Sequence, residues 1–352
     1  MLSFLPAPIK AVINLLLISI NTLINAIPIL LLSIVRPLLP FKGVQYAIER
    51  CNNFIYHLWM DINGAIMHLT CNIKFTIKGM EQVKVQHSCF IVSNHLSWAD
   101  IYMICHLFGH RIPITKFFLK HSLVYIPVIG LVCLGLGMPF LRRYSKKELL
   151  KNPKLKGRDV QSTIRACRRL VIAPSTLVNF AEGTRCTAVK QKAVNSPYRH
   201  LMPPKAASLA VALGQVGREI DCLINLTLSY PGSPEKPFIA LLQGKLKEVY
   251  AHVEVIPKEE LPCGDYLNDK QFKHTFTLWL RDLWAKKDAL LAREVFHDET
   301  EVKALELTAA EPSAPAIAAP EKVKNVSQPT NLENKAGENA KTSPQKEEKA
   351  PS

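Results

Sequence analysis

Two short apolar runs, CFIVS from Cys89 to Ser93 and STLVNF from Ser175 to Phe180, pass directly into polar turns. Runs of this length, rich in β-branched and aromatic residues, read as strands. Strands of one sheet deliver the loops that follow them to a common edge, so NHLSWAD at 94–100 and FAEGTR at 180–185 can share one site. That sharing restricts everything between them. Residues 121–141 carry no Asp, Glu, Lys or Arg, and hydropathy alone reads them as a membrane span. A single crossing there would leave His95 and Glu182 on opposite faces of the bilayer. Pro127, Gly130, Gly135, Gly137 and Pro139 also break the stretch, which is therefore expected to be buried sheet, loop and apolar wall, with a dip into the membrane surface left open.

The same alternation continues along the chain. CNIKFTIKG, CLINLTLSY and VYAHVEVIP read as further strands, with helical patterns near 97–108, 159–171, 204–216 and 270–296. Asp159 is a candidate N-cap for the second of these. The fold class is α/β, a mixed sheet flanked by helices. Residues 43–69, with Ile48, Phe54, Trp59 and Ile66 at helical spacing, are expected to form a helix leading into it.

Ahead of that helix lies an uncharged run, residues 11–35, bounded by Lys10 and Arg36. It is long enough to cross ~30 Å of hydrocarbon as a helix. Its three Asn and Pro28 also permit a bent helix or a shallow two-helix anchor. From about residue 300 the composition turns to Ala, Glu, Lys, Pro, Ser and Asn, which cannot bury enough surface to order itself. The expected organisation is an N-terminal membrane anchor at 1–42, a catalytic domain at 43–298 and a disordered tail at 299–352.

The net charge is +15, and residues 142–170 alone hold eleven Lys or Arg against two acidic residues. A basic face beside an apolar anchor suits anionic membrane lipids and phosphate-bearing substrates. No nucleic-acid motif and no aromatic interleaving accompany the cluster, so nucleic acid is not expected as a partner. The nine cysteines include no CxxC pair and sit mostly in apolar runs, as reduced, buried residues do. No metal is expected, because the His and Cys spacings contain neither an HExxH nor a paired-cysteine set. The absence of a G-x-S-x-G elbow argues against a serine hydrolase.

The chemistry centres on His95 and Asp100. A neutral imidazole can take the proton of an alcohol attacking a carbonyl, provided its other ring nitrogen is held by a partner. A carboxylate in that place fixes the tautomer and favours the imidazolium as it forms. In a strand-to-helix turn the two side chains can converge. In the second turn, Gly183 lets backbone approach a ligand and Arg185 offers a planar fork for phosphate oxygens.

NHLSWAD and FAEGTR, in this order, resemble the first and third motifs of the glycerophosphate acyltransferase family. Between them, Lys120-His121-Ser122-Leu123, Pro127-Val128-Ile129-Gly130 and GMPFLRR at 137–143 resemble the family's second motif, with Arg143 at its arginine. GMPFLRRYS, PPKAA at 203–207 and GDYLNDKQFK at 264–273 resemble the YihG-type inner-membrane acyltransferases of enteric bacteria. Lys205-Ala206-Ala207 departs from the family's usual Lys-x-Gly turn, and INLTLSYPG replaces its fourth block, which leaves the acceptor open.

The resemblance implies acyl transfer from acyl-CoA or acyl-carrier protein, as co-substrate rather than cofactor, to 1-acyl-glycerol-3-phosphate. It implies His95 and Asp100 as catalytic, and Arg143, Glu182, Gly183, Thr184, Arg185 and Lys120 as substrate-binding, with Lys116 a further candidate for the acceptor phosphate. The bacterial inner membrane, with the site on its cytoplasmic face, is the expected location. Two alternatives remain: another lysophospholipid acceptor, or a catalytically silent membrane adaptor.

Overall fold

The computed structural model describes residues 4–298 apart from 40, 142–150, 152–159, 162, 166, 168–172 and 234. Arg143, Asp159, most of the basic cluster and the 299–352 tail lie outside the described residues.

A six-stranded mixed sheet forms the centre, in the order β1-β8-β7-β2-β6-β3. Its strands are β1 (Lys74–Lys78), β2 (Cys89–Ser93), β3 (Thr115–Phe117), β6 (Thr176–Phe180), β7 (Cys222–Ser229) and β8 (Glu248–Pro257). All neighbours run parallel except β7 and β8. The five strands expected from the sequence are present, and β3 is an addition. Three residues, TKF, are too short a run to signal a strand by periodicity. A separate two-stranded ladder pairs β4 (Leu119–Lys120) with β5 (Phe140–Leu141).

Central strands buried on both faces favour near-continuous apolar runs, and β2 and β7 are buried throughout. Alternate β2 residues divide between two cores. Cys89 and Ile91 join Tyr56 and Met60 of α2 (Lys42–Thr70), Met103 and Ile104 of α3 (Ala99–Phe108) and Leu241 of α7 (Pro237–Leu242). Phe90 and Val92 join Leu209 and Leu213 of α6 (Ala206–Val216), with Phe276, Leu280 and Trp284 of α8 (Lys270–Leu291). The result is three layers, helices on either side of the sheet. The short helix α5 (Ala188–Ala193) follows the second polar turn.

Helix α1 (Ala7–Leu38) spans 32 residues and runs unbroken through Pro28, long and apolar enough to cross a membrane by length and composition. Its three Asn side chains face inward. Asn14 Nδ2 donates to the Leu242 carbonyl at 2.8 Å, and Asn21 Nδ2 to the Trp59 carbonyl and Asn63 Oδ1, both at 3.0 Å. Asn25 in turn donates to Asn21. These residues thus join α1 to α2 and α7, while Val12, Leu16, Leu23, Ile27, Leu31 and Ile34 remain exposed on its other side.

Residues 121–141 form a 3₁₀ turn at His121–Tyr125, the helix α4 (Ile129–Gly135) and strand β5. They differ from the expectation of a buried wall: Tyr125, Ile129, Leu131 and Leu134 are exposed. The segment folds back onto α1 so closely that a Cβ at Gly135 would lie 2.1 Å from Ser33 Oγ.

Candidate active site

Ser93 and Phe180 are register partners at the ends of parallel strands β2 and β6, so the two polar turns leave the sheet side by side. The Cys186 N–H donates to the His95 carbonyl at 2.7 Å and ties the turns together. Asn94 joins the first turn to β7 by pairing like a backbone unit. Its Nδ2 donates to the Leu228 carbonyl and its Oδ1 accepts from the Leu228 N–H, each at 2.9 Å.

His95 Nδ1 lies 2.7 Å from Asp100 Oδ2. That oxygen also accepts from the N–H groups of Leu96 at 2.7 Å and Ser97 at 2.9 Å, which pins the carboxylate against its own turn. Asp100 is fully buried, and its Oδ1 accepts from the Tyr230 hydroxyl at 2.6 Å. Burial, and then the adjacent Asp100 charge, push the Tyr230 phenol well above its ordinary range, so it stays a neutral donor. Since a carboxylate only accepts, Nδ1 carries the proton and Nε2 presents its lone pair. Phe180 stacks on the imidazole with centroids 4.1 Å apart and planes 18° from parallel, and Phe117 backs Phe180 at 6.1 Å. Among the described residues, Nε2 has no hydrogen-bond partner. An oriented imidazole with its free nitrogen at the mouth of a turn can act as a general base.

Gly183 adopts φ +68°, a left-handed conformation that favours glycine, and its N–H bonds the Phe180 carbonyl at 2.9 Å. Arg185 is exposed, with its guanidinium carbon 5.6 Å from the centroid of the exposed Trp98 ring. Thr184 Oγ1 accepts from Lys190 Nζ at 2.9 Å, and the same amine donates to the Arg185 carbonyl at 3.0 Å. Two cations and an indole therefore flank the His95 turn. Exposed Lys120 sits on β4 in register with Leu141, just ahead of the undescribed Arg143. No bond joins it to the His95 turn among the described residues.

Two expected ligand contacts are placed differently. Glu182 is fully buried, and its two oxygens accept from the backbone N–H groups of His95 at 3.4 Å and Met202 at 3.3 Å, so it braces the turns from behind instead of facing solvent. Burial raises its carboxyl to about 8 despite the opposing pull of those N–H groups and of the Lys287 charge. Lys116 is buried on β3, with Nζ 3.5 Å from Glu49 Oε2, while Arg36 holds the other oxygen of Glu49 at 2.8 Å. It belongs to the joint between β3 and the N-terminal helices. Burial, with Glu182 and Asp288 nearby, also pushes the Cys186 thiol up to about 12, which leaves it protonated at neutral pH.

Residues 74–223 match the family model described as Acyltransferase, a range that contains both turns, the His95–Asp100 pair and the strands that carry them. That range is thus similar to the acyltransferase family. The yeast 2-acyl-1-lysophosphatidylinositol acyltransferase of Saccharomyces cerevisiae is 25% identical over 138 residues, covering 34% of this chain and 33% of the relative. The 1-acyl-sn-glycerol-3-phosphate acyltransferase gamma of Homo sapiens is 23% identical over 259 residues, covering 69% of this chain and 63% of its own length. The matches thus span a third of the yeast relative and under two thirds of the human one. The crystal structure of the 1-acyl-sn-glycerophosphate (LPA) acyltransferase PlsC from Thermotoga maritima superposes with a TM-score of 0.45 at 14% identity, over 79% of this chain and 98% of that one.

Tyr230 lies just beyond the matched range and carries no motif of its own, although it ends a run that reads as a strand. A strand parallel to β2 delivers its last residue to the same edge, and that was the available signal. Lys190 carried none beyond its charge. Lys287 and Asp288 lie outside the matched range, on the helix expected near 270–296, and carried no signal beyond their charge.

Proposed function

We propose that this chain moves a fatty acyl group from a thioester, on CoA or a carrier protein, to the free hydroxyl of 1-acyl-glycerol-3-phosphate at a membrane surface. His95 Nε2 takes the hydroxyl proton as the oxygen attacks the thioester carbonyl. The C–O bond forms, the C–S bond breaks, and the imidazolium returns its proton to the departing thiolate. Asp100 holds the ring and stabilises its charged state, and no acyl-enzyme is needed. What carries this is the 2.7 Å contact of His95 Nδ1 with a fully buried, doubly braced Asp100, which leaves Nε2 open beside two cations.

Arg185 is the chief acceptor-phosphate ligand, with Arg143 and Lys120 contributing from the neighbouring segment. Gly183 and Thr184 shape the glycerol side. Glu182 acts by holding the turns, in place of the ligand role expected from its motif. The location in this reading is the cytoplasmic face of a bacterial inner membrane, and α1's exposed apolar side and the +15 net charge support a membrane surface. The acceptor follows the name of the human relative. The yeast relative is named for lysophosphatidylinositol, which makes that lipid the first alternative acceptor.

The deciding experiment follows labelled oleoyl transfer from oleoyl-CoA to lysophosphatidic acid. It uses membranes carrying wild type or His95→Ala, from a host whose own acyltransferase is inactivated. Phosphatidic acid made by wild type, and reduced about 10²- to 10⁴-fold in the variant, supports the assignment. Equal background from both, with the proteins expressed, sinks it. Transfer confined to lysophosphatidylinositol would keep the base and change the acceptor.

A further inference from the structure

Beyond the matched domain, one helix reaches the back of the site. Lys287 and Asp288 of α8 are both buried. Lys287 Nζ donates to the Leu226 carbonyl of β7 at 2.5 Å and lies 4.7 Å from the centroid of the Trp284 ring. Asp288 accepts from the N–H groups of Arg199 at 2.8 Å and His200 at 2.9 Å. This segment leads into Met202, whose N–H meets one oxygen of Glu182, while the other oxygen meets the His95 N–H. The Trp284 indole N–H approaches the same carboxyl without meeting hydrogen-bond geometry. A continuous set of contacts therefore runs from α8 through Glu182 to the backbone of His95.

We propose that Lys287 and Asp288 are positioning residues, which act through Glu182 to hold the His95 turn in the conformation that presents Nε2. This rests on the assignment of His95 as base. The physical reason is the count of donors: two backbone N–H groups converge on Glu182, one on each oxygen, and the carboxylate offers each an unprotonated acceptor. Burial works against that carboxylate, and the Lys287 charge works for it. Glu254 and His252 of β8 also interact electrostatically with Lys287. Around Glu182 the ionisable neighbours are Lys287, Cys186 and the braced His95–Asp100 pair. Asp288 faces Cys186 and Tyr198. Among these groups Lys287 supplies the positive charge from α8 that favours the ionised form of Glu182.

The test uses the full chain in nanodiscs and compares wild type with Lys287→Met, Asp288→Asn and Glu182→Gln. Amide hydrogen exchange should accelerate about tenfold or more over residues 93–100 and 180–186 in each variant, with α1 and α2 unchanged. The Lys287→Met and Glu182→Gln effects should not add, because both interrupt one connection. In acyl transfer, the low-pH limb of kcat/KM should move up by about one pH unit in Lys287→Met, while the acceptor KM stays within about twofold of wild type. Exchange that matches wild type at both turns, or rises evenly over the whole chain, would overturn the proposal. An unmoved pH limb in an active Lys287→Met variant would do so as well. Should wild type show no His95-dependent transfer, the assignment of the base fails, and the exchange comparison still decides whether α8 holds the turn.

Discussion

Tyr230 donates its hydroxyl to Asp100 Oδ1 at 2.6 Å, on the side of the carboxylate opposite His95. Three elements therefore meet at one buried side chain: the β2–α3 turn, the first turn of α3 and the end of β7. Removing the phenol hydroxyl leaves a buried carboxylate oxygen without its donor, which costs about 1–3 kcal/mol. Tyr230→Phe should accordingly unfold at lower temperature and lose about tenfold in kcat, with substrate KM values close to wild type. Calorimetry and steady-state transfer kinetics check the two parts separately. An unchanged melting temperature would mean that water replaces the hydroxyl.

Asp100→Asn keeps the shape and removes the charge. The amide oxygen stays where His95 Nδ1 and the Leu96 and Ser97 N–H groups point, with its NH₂ turned to the Tyr230 hydroxyl, so the ring keeps its orientation but loses the carboxylate that favours the imidazolium as it forms. Transfer should fall about 10²- to 10⁴-fold with the fold retained. The amide NH₂ puts a donor where the Tyr230 hydroxyl had an acceptor, so a moderate fall in thermal stability should accompany it. Full activity in a folded Asn variant would remove Asp100 from the chemistry.

These expectations show where the sequence was readable. The runs CFIVS and STLVNF carry a pattern that a buried parallel strand requires, and their shared edge follows from parallel pairing, which is why His95, Asp100 and Gly183 could be placed together in advance. Glu182 could not. Its motif reads the same whether the carboxylate faces a ligand or turns back to two backbone N–H groups, and only the position of Met202 decides between them. The inward-facing Asn14, Asn21 and Asn25 were legible as flaws in an apolar run but not as the joint to α2, because their partners lie far along the chain. Helix α4 shows the converse: Gly135 reads as a helix breaker, and in the structure it ends a short helix packed against Ser33.

Gly183 tests the second turn. At φ +68° a Cβ approaches the backbone carbonyl, which costs about 1–2 kcal/mol for an L-residue. Gly183→Ala should lower stability by that amount and raise acceptor KM through the displaced Thr184 and Arg185. Urea unfolding with an unchanged slope measures the first effect. A variant as stable as wild type would show that the turn relaxes out of the left-handed region at no cost.

Arg185 separates charge from shape. Stacked near Trp98, its guanidinium offers a planar fork that a lysine cannot reproduce, although both are cations. Arg185→Lys should raise acceptor KM about three- to tenfold with little change in kcat, and Arg185→Ala should raise it further. The penalty should shrink as salt rises, because the phosphate contact is exposed and screened. Equal KM values for Arg and Lys would assign the site a point charge only.

The buried Glu182 and Lys287 give stability a pH dependence whose sign can be worked out. Glu182 titrates at about 8, above its ordinary 4.5, so its contribution is full below about pH 4.5 and is lost as pH rises through about 8. Lys287 titrates at about 7, below its ordinary 10.5, so its contribution is full above about pH 10.5 and is lost as pH falls through about 7. Both are therefore near their weakest between pH 7 and 8, where the unfolded chain carries the two charges freely and the folded one holds both groups largely in their neutral forms. Replacing the pair together, as Glu182→Gln with Lys287→Met, removes both titrations. The melting temperature of the double variant relative to wild type should be highest near pH 7 to 8 and fall toward acid and alkali. Scanning calorimetry from pH 5 to 9.5 measures that difference, and a flat difference across the range would show that neither group is held away from its ordinary titration.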